Sequence, residues 1–151
     1  MPSHRLRNLC FATTVALAAV VLSACGGQPS RTGPDNDPDT AVQLSPAQFA
    51  EAIAEPATFV LNVHTPDEGS IRGTDAEIPF DRLAKRADEL PADRSTSIAV
   101  YCRTGRMSAL ATATLSDLGY TDVTELEGGM EAWQEDGRDL LKPGQAAPAR
   151  E

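Results

Sequence analysis

Three short apolar runs constrain this chain most: ATFVLNV at 57–63, SIAVY at 97–101 and VTEL at 123–126. The first two are rich in β-formers and lack polar alternation, the composition of strands buried on both faces. Segments with helical spacing lie around them. Ser45 suits an N-cap and Pro46 the first helical position, with Phe49, Ala50 and Ile53 following on one face. The stretch FDRLAKRADEL at 80–90 brings Phe80, Leu83, Ala84, Ala87 and Leu90 together as an amphipathic helix that Pro91 terminates. Residues 106–118 turn Met107, Leu110, Ala111, Thr114, Leu115 and Leu118 toward a core before Gly119, and a short helix at 130–134 follows Gly128-Gly129. The polar stretch 64–77, with Pro66, Gly69 and Gly73 as breakers, reads as loop. Buried strands separated by helices over short connections predict an α/β domain, a mostly parallel central sheet with helices on both faces.

The N-terminus reads as an export signal. Arg5 and Arg7 form a basic start, and residues 9–22 are apolar and uncharged but too short and Ala/Thr-rich for a permanent span. Leu22-Ser23-Ala24-Cys25 resembles the bacterial lipoprotein box, in which the signal (1–24) is removed and the cysteine, here Cys25, is acylated. That resemblance implies an exported chain lipid-anchored to a membrane of the cell envelope. Residues 26–43 are rich in Gly, Pro and Asp, so 25–43 is expected to be a lipidated, disordered tether. A single domain at 44–141 and a flexible tail at 142–151 complete the division.

Charge excludes one class of partner. Loss of Arg5 and Arg7 from the 13 basic residues leaves 11 against 22 acidic ones, a formal charge of −11. A phosphate backbone would be repelled over most of such a surface, so no nucleic-acid partner is expected. With Cys10 in the signal and Cys25 acylated, Cys102 has no partner for a disulfide within one chain.

Cys102 sits where a buried strand meets a helix, in YCRTGRMS at 101–108. Open α/β folds place their sites at the carboxyl ends of strands. Gly105 lets successive backbone N–H groups turn inward, the helix start adds partial positive charge, and Arg103 and Arg106 flank the thiol. All three favour thiolate and are expected to lower the Cys102 pKa below about 8.5, making it a nucleophile beside an anion-sized cradle.

The loop YCRTGRMSA resembles the active-site loop of single-domain rhodaneses, and LEGGMEAW at 126–133 resembles their C-terminal Gly-Gly-x-x-x-Trp segment. The resemblance implies a sulfurtransferase with no metal or organic cofactor. Cys102 would take the sulfane sulfur of a small anionic donor such as thiosulfate and hold it as a persulfide. A thiol or cyanide-like acceptor would remove it. Backbone amides of Arg103, Thr104, Gly105, Arg106 and Met107 would stabilise the persulfide, and Arg103 or Arg106 would hold the donor's sulfonate.

Two segments depart from that family's pattern. Asn62-Val63-His64 stands where the family usually has Asp-x-Arg, and Gly69-Ser70-Ile71-Arg72-Gly73-Thr74 replaces Gly-His-Ile-x-Gly-Ala. Asn62 and His64 are candidates for groups supporting the loop, His64 as a hydrogen-bonding residue or a base. Trp133 is expected in the core, and Arg72, Asp75 and Asp81 at the surface, with Asp75 as an optional support for the loop after His64. A cysteine phosphatase of the C-x5-R kind would need arginine at position 108, which is Ser108. The non-enzymatic alternative is a tethered sulfur carrier, redox sensor or binding module of the same fold.

Overall fold

The computed structural model describes residues 41–145. The expected signal, Cys25 and most of the tether fall outside the described residues, as do positions 146–151 of the tail.

Five strands form one sheet: β1 (Val42–Leu44), β2 (Phe59–Asn62), β3 (Ala76–Glu77), β4 (Ile98–Tyr101) and β5 (Val123–Leu126), in the order β1-β5-β4-β2-β3. Every pairing between them is parallel. β4 is central, which is why all four of its residues are buried. Because side chains alternate along a strand, Ile98 and Val100 enter one core and Ala99 and Tyr101 the other. Continuing that alternation places Cys102 with Ile98 and Val100.

On the Cys102 face, α2 (Arg106–Asp117) and the segment Phe80–Glu89 cover the sheet with Leu83, Leu90, Ala111 and Leu115. On the opposite face, α1 (Pro46–Ala54) and α3 (Gly129–Glu135) bring Phe49, Ile53, Met130 and Trp133. Phe49 meets both Tyr101 and Trp133 edge to face, at ring separations of 6.2 and 6.3 Å. Trp133 is therefore a core residue, as expected, and its Nε1–H donates to the Asp139 carbonyl at 3.2 Å. α1 begins on a complete capping box: Ser45 Oγ accepts from the Gln48 N–H, and the Gln48 side chain accepts from the Ser45 N–H.

Four boundaries or faces differ from the sequence expectation. Phe80–Glu89 is a 3-10 helix, not an α-helix, and is interrupted at Arg86 (φ −113°, ψ 27°). At three residues per turn Phe80 and Leu83 align, while the break at Arg86 resets the register so that Ala87 and Leu90 return to the core side and Ala84 is left exposed. Leu110 does not face the core; it is 58% exposed, because Ser108, Ala111 and Leu115 take the buried stripe of α2. The sheet starts two residues before the expected domain boundary, since Val42 and Gln43 pair with Thr124 and Glu125 at an edge too short and polar to show a strand pattern. The expected loop at 64–77 ends in β3, a two-residue edge strand on β2.

The tail boundary is also anchored on its inner side. Leu141 bridges Ser70 in antiparallel fashion, through N–H to carbonyl contacts of 3.2 and 2.8 Å. Beyond it, the Gly144 N–H donates to Asp67 Oδ2 at 2.9 Å. Gly69 permits this approach: its φ is +109°, and a Cβ there would lie 2.4 Å from the Leu141 carbonyl oxygen.

Candidate active site

The central strand ends at Tyr101, and Cys102 follows at its carboxyl edge. Gly105, at φ +90°, turns the chain into α2. This left-handed turn folds the loop back so that the Gly105 N–H donates to Cys102 Sγ at 3.1 Å. The first helical bond of α2 runs from the Ala109 N–H to the Gly105 carbonyl at 3.0 Å. The N–H groups of Arg106, Met107 and Ser108 precede it and so have no intrahelical acceptor. Cys102 Sγ thus lies at a helix start, with one of the five expected loop amides, that of Gly105, bonded to it.

Cys102 itself is only 1% exposed, yet it lines a cavity of about 460 Å³ together with His64, Phe80, Arg103, Thr104, Arg106, Met107 and Leu110. The thiol is recessed below a mouth with a cationic and an apolar side. The two arginines play different parts there. Arg103 Nη1 lies 2.9 Å from Glu68 Oε1, and its Nε lies 2.9 Å from Glu131 Oε1. The bond to Glu131 and then that to Glu68 hold its guanidinium above its ordinary proton affinity. Arg103 thus ties the cysteine loop to both neighbours, whereas Arg106 has no carboxylate partner among the described residues.

On its α3 side the loop is braced by backbone as well as by the Arg103–Glu131 pair. The N–H groups of Met130 and Glu131 donate to the carbonyls of Cys102 and Arg103 at 2.9 and 3.0 Å. Such a close approach excludes a side chain: a Cβ on Gly129, whose φ is +62°, would lie 2.4 Å from the Cys102 carbonyl oxygen. This contact gives the Gly128-Gly129 pair its physical meaning.

On the other side, Asn62 and His64 organise the departure from β2. Buried Asn62 accepts from the His64 N–H at 3.0 Å and donates from Nδ2 to the Gly69 carbonyl at 3.3 Å. The His64 ring, its side chain 7% exposed, places Nε2 2.5 Å from Glu68 Oε2, and its buried Nδ1 has no hydrogen-bond partner among the described residues. The hydrogen bond from His64, reinforced by Arg103, lowers the Glu68 pKa below the ordinary 4.5. Asp75 braces β2 rather than the loop after His64: its Oδ2 accepts from the Val60 N–H at 2.7 Å. Behind them the Tyr101 hydroxyl accepts from the Ile71 N–H at 2.9 Å and meets Thr74 Oγ1 at 2.7 Å, while burial pushes its phenol pKa up.

Two polar residues beneath the cradle were not among the site residues expected from sequence. Ser108 Oγ lies 2.6 Å from Glu125 Oε1, 3.0 Å from the Gly105 carbonyl and 3.4 Å from Cys102 Sγ. A hydroxyl has one hydrogen to donate, and the shortest of these contacts is to the carboxylate. Glu125 is 4% exposed on β5, an interior strand. A glutamate inside VTEL was the available signal, because interior parallel strands rarely hold a charge without purpose. Ser108 stands where a C-x5-R phosphatase has its arginine.

A recessed cysteine between a parallel strand and a helix start, with the Gly105 amide on its sulfur, defines the class of α/β domain with a thiol at the carboxyl edge of its sheet. Within that class the chain belongs to the rhodanese-like domain family, whose model matches residues 45–136. A sulfurtransferase of Allochromatium vinosum is 36% identical over 67 residues, which cover 44% of this chain and 61% of that protein. A rhodanese-related protein from Thermoplasma volcanium superposes with a TM-score of 0.57 at 33% identity, covering 66% of this chain and 97% of its own. The rhodanese-like domain of an Anabaena protein gives a TM-score of 0.59 at 26% identity, over 72% of this chain and 87% of its own.

Proposed function

We propose that this chain is a sulfurtransferase whose nucleophile is Cys102. The observation that carries this reading is the contact of Sγ with the Gly105 N–H at the foot of a cavity bearing Arg106. In the first half-reaction the thiolate attacks the outer sulfur of a donor such as thiosulfate. The Sγ–S bond forms, the donor's S–S bond breaks, and its electron pair leaves with sulfite. The resulting persulfide anion replaces the thiolate among the loop amides. A thiol or cyanide then removes the outer sulfur and restores the thiolate. Arg106 is the donor-binding cation in this scheme, because Arg103 is already engaged by two carboxylates.

Incubation of the purified chain with thiosulfate should add one sulfur to its intact mass, and cyanide should discharge it as thiocyanate. Cys102→Ser should abolish both; loading that survives the substitution overturns the assignment. Arg106→Ala should weaken thiosulfate binding by about 1 to 3 kcal/mol, as loss of a charge-assisted hydrogen bond does. The 1% exposure of Cys102 favours a second reading, a sulfur carrier that shelters its persulfide. Loading without thiocyanate turnover would select it.

The export reading rests on residues 5–25 alone. In it, acylated Cys25 holds the domain at the extracytoplasmic face of an envelope membrane. No helix among the described residues is long and apolar enough to cross a membrane. Cys25→Ala should move the protein from the membrane fraction to the soluble one.

A further inference from the structure

The Cys102 cavity is walled in part by a ring that the fold leaves half unpaired. His64 lines the cavity, its side chain is 7% exposed, and its Nδ1 is buried with no hydrogen-bond partner among the described residues. Burying an acceptor unpaired is unfavourable, so an orphaned nitrogen on a cavity-lining ring marks a place where a bound molecule supplies the missing hydrogen. Topology sets that ring beside the thiol. Asn62 on β2 pairs with Tyr101 on β4, so His64 and Cys102 leave adjacent strands at the same carboxyl edge.

The state of the ring follows from its other nitrogen. Glu68, whose pKa lies below the ordinary 4.5, is a carboxylate at neutral pH and can only accept, so Nε2, 2.5 Å from its Oε2, carries the hydrogen. Nδ1 of the neutral ring is then a lone pair. Arg103 bonds the other carboxylate oxygen, Oε1, at 2.9 Å and so ties the pair to the cysteine loop. The other charged or titratable side chains on the cavity wall are Cys102, the nucleophile, and Arg103 and Arg106, which keep their protons; Glu131 joins them only through Arg103. An imidazole oriented by a carboxylate, with its second nitrogen unengaged, has the composition of a general base.

We propose that His64 is the proton acceptor for a thiol that collects the sulfur, and that Glu68 is the residue that positions it. The assignment rests on the sulfur-transfer reading. Donor cleavage moves no proton, because a thiolate attacks and an anion leaves. Discharge to a thiol does. The acceptor's S–H proton passes to His64 Nδ1, and the freed electron pair on its sulfur forms a bond to the outer sulfur of the Cys102 persulfide. The Sγ–S bond breaks, and its electron pair stays on Sγ as the thiolate. The proton on Nδ1 then passes to the terminal sulfur of the product, which leaves as R–S–SH. The ring ends neutral, and no oxidant or reductant is consumed.

Two acceptors separate this role from a structural one. Full-length protein is loaded with thiosulfate, freed of excess, and discharged in single turnovers by β-mercaptoethanol or by sulfite in mildly alkaline buffer, which brings no proton. Loss of one sulfur from the intact mass gives each rate. His64→Gln keeps an amide able to donate to Glu68 but has no basic nitrogen. It should load normally and slow thiol discharge by about 10²-fold or more, the range for a general base, while sulfite discharge stays near the wild-type rate. The deficit should close as the pH nears the range in which the thiol ionises unaided. The wild type supplies a check that needs no variant. Its discharge by thiol should level off with pH while the acceptor is still un-ionised, whereas capture of free thiolate climbs by about tenfold per pH unit throughout that range. Equal slowing toward both acceptors, a deficit that ignores pH, or a wild-type rate that climbs in step with thiolate would each overturn the assignment of His64 and leave sulfur transfer standing. Wild-type protein that thiosulfate cannot load would overturn both.

Discussion

The loop that carries Cys102 is held from two sides by different means. On the α3 side, two backbone amides bond two backbone carbonyls across a gap that only glycine allows, and the Arg103–Glu131 pair only adds to them. On the β2 side, side chains do the work: Asn62 fixes the chain from His64 to Gly69, and Glu68 joins His64 to Arg103. Backbone contacts permit no substitution at the point of approach and do not titrate. Side-chain contacts can be replaced by others of similar shape, and they respond to pH. The side that departs from the family's usual residues is the one built from side chains, which explains how the departures coexist with an intact cradle.

Five substitutions, one of them a control, sharpen or break that comparison. Gly129→Ala should be the most damaging, since it combines left-handed backbone strain with a clash against the Cys102 carbonyl, for a loss of about 2–5 kcal/mol in thermal or denaturant unfolding. A stability near wild type would show that the α3 side yields. Asn62→Ala should cost about 1–3 kcal/mol by stranding the His64 N–H and the Gly69 carbonyl, and it should leave the Met130 and Glu131 amides protected from hydrogen exchange. Exchange that accelerates equally on both sides would mean that the two braces are one unit.

Glu125→Met, which removes the acceptor at similar volume, probes the space between the braces. Without the carboxylate, the Ser108 hydrogen is released toward Sγ, a gain of one hydrogen bond to the thiolate. Alkylation of Cys102 should become about two- to tenfold faster at mildly acidic pH, the value of a single such bond, and its pH profile should move to lower pH. Ser108→Ala should erase the gain. An unmoved profile would show that Glu125 only fills space.

Glu68→Gln should have the smallest effect at neutral pH, because exposed ion pairs contribute little. Its signature lies in acid. The folded-state pKa of Glu68 is below the ordinary 4.5, so its contribution is present above that value and is lost as pH falls through the lowered one. The variant should therefore lose part of the acid dependence of unfolding. An identical acid limb in both proteins would remove Glu68 from the brace.

What was legible in the sequence follows the same division. β2, β4 and β5 were visible because burial enforces an apolar composition, and the cysteine loop and Gly128-Gly129 because their geometry demands particular residues. β1 and β3 were not, since two or three residues at an edge carry no periodic pattern. The 80–90 segment has an apolar pattern that suits either helix type until Arg86 breaks it, so its α-helical reading failed. Leu110 fits the helical period as well as Ala111 does, and only the cavity beside it distinguishes an exposed leucine from a core one. The separate duties of Arg103 and Arg106 depended on Glu68 and Glu131, which lie far from the loop in sequence.

The pairing of the first strand with the last has a consequence for biogenesis. Val42, Gln43 and Leu44 find their partners only at Thr124, Glu125 and Leu126, so the sheet cannot close until nearly the whole domain has left the ribosome. Contacts that distant in sequence form late. The growing polypeptide therefore carries its first strand unpaired through most of its synthesis.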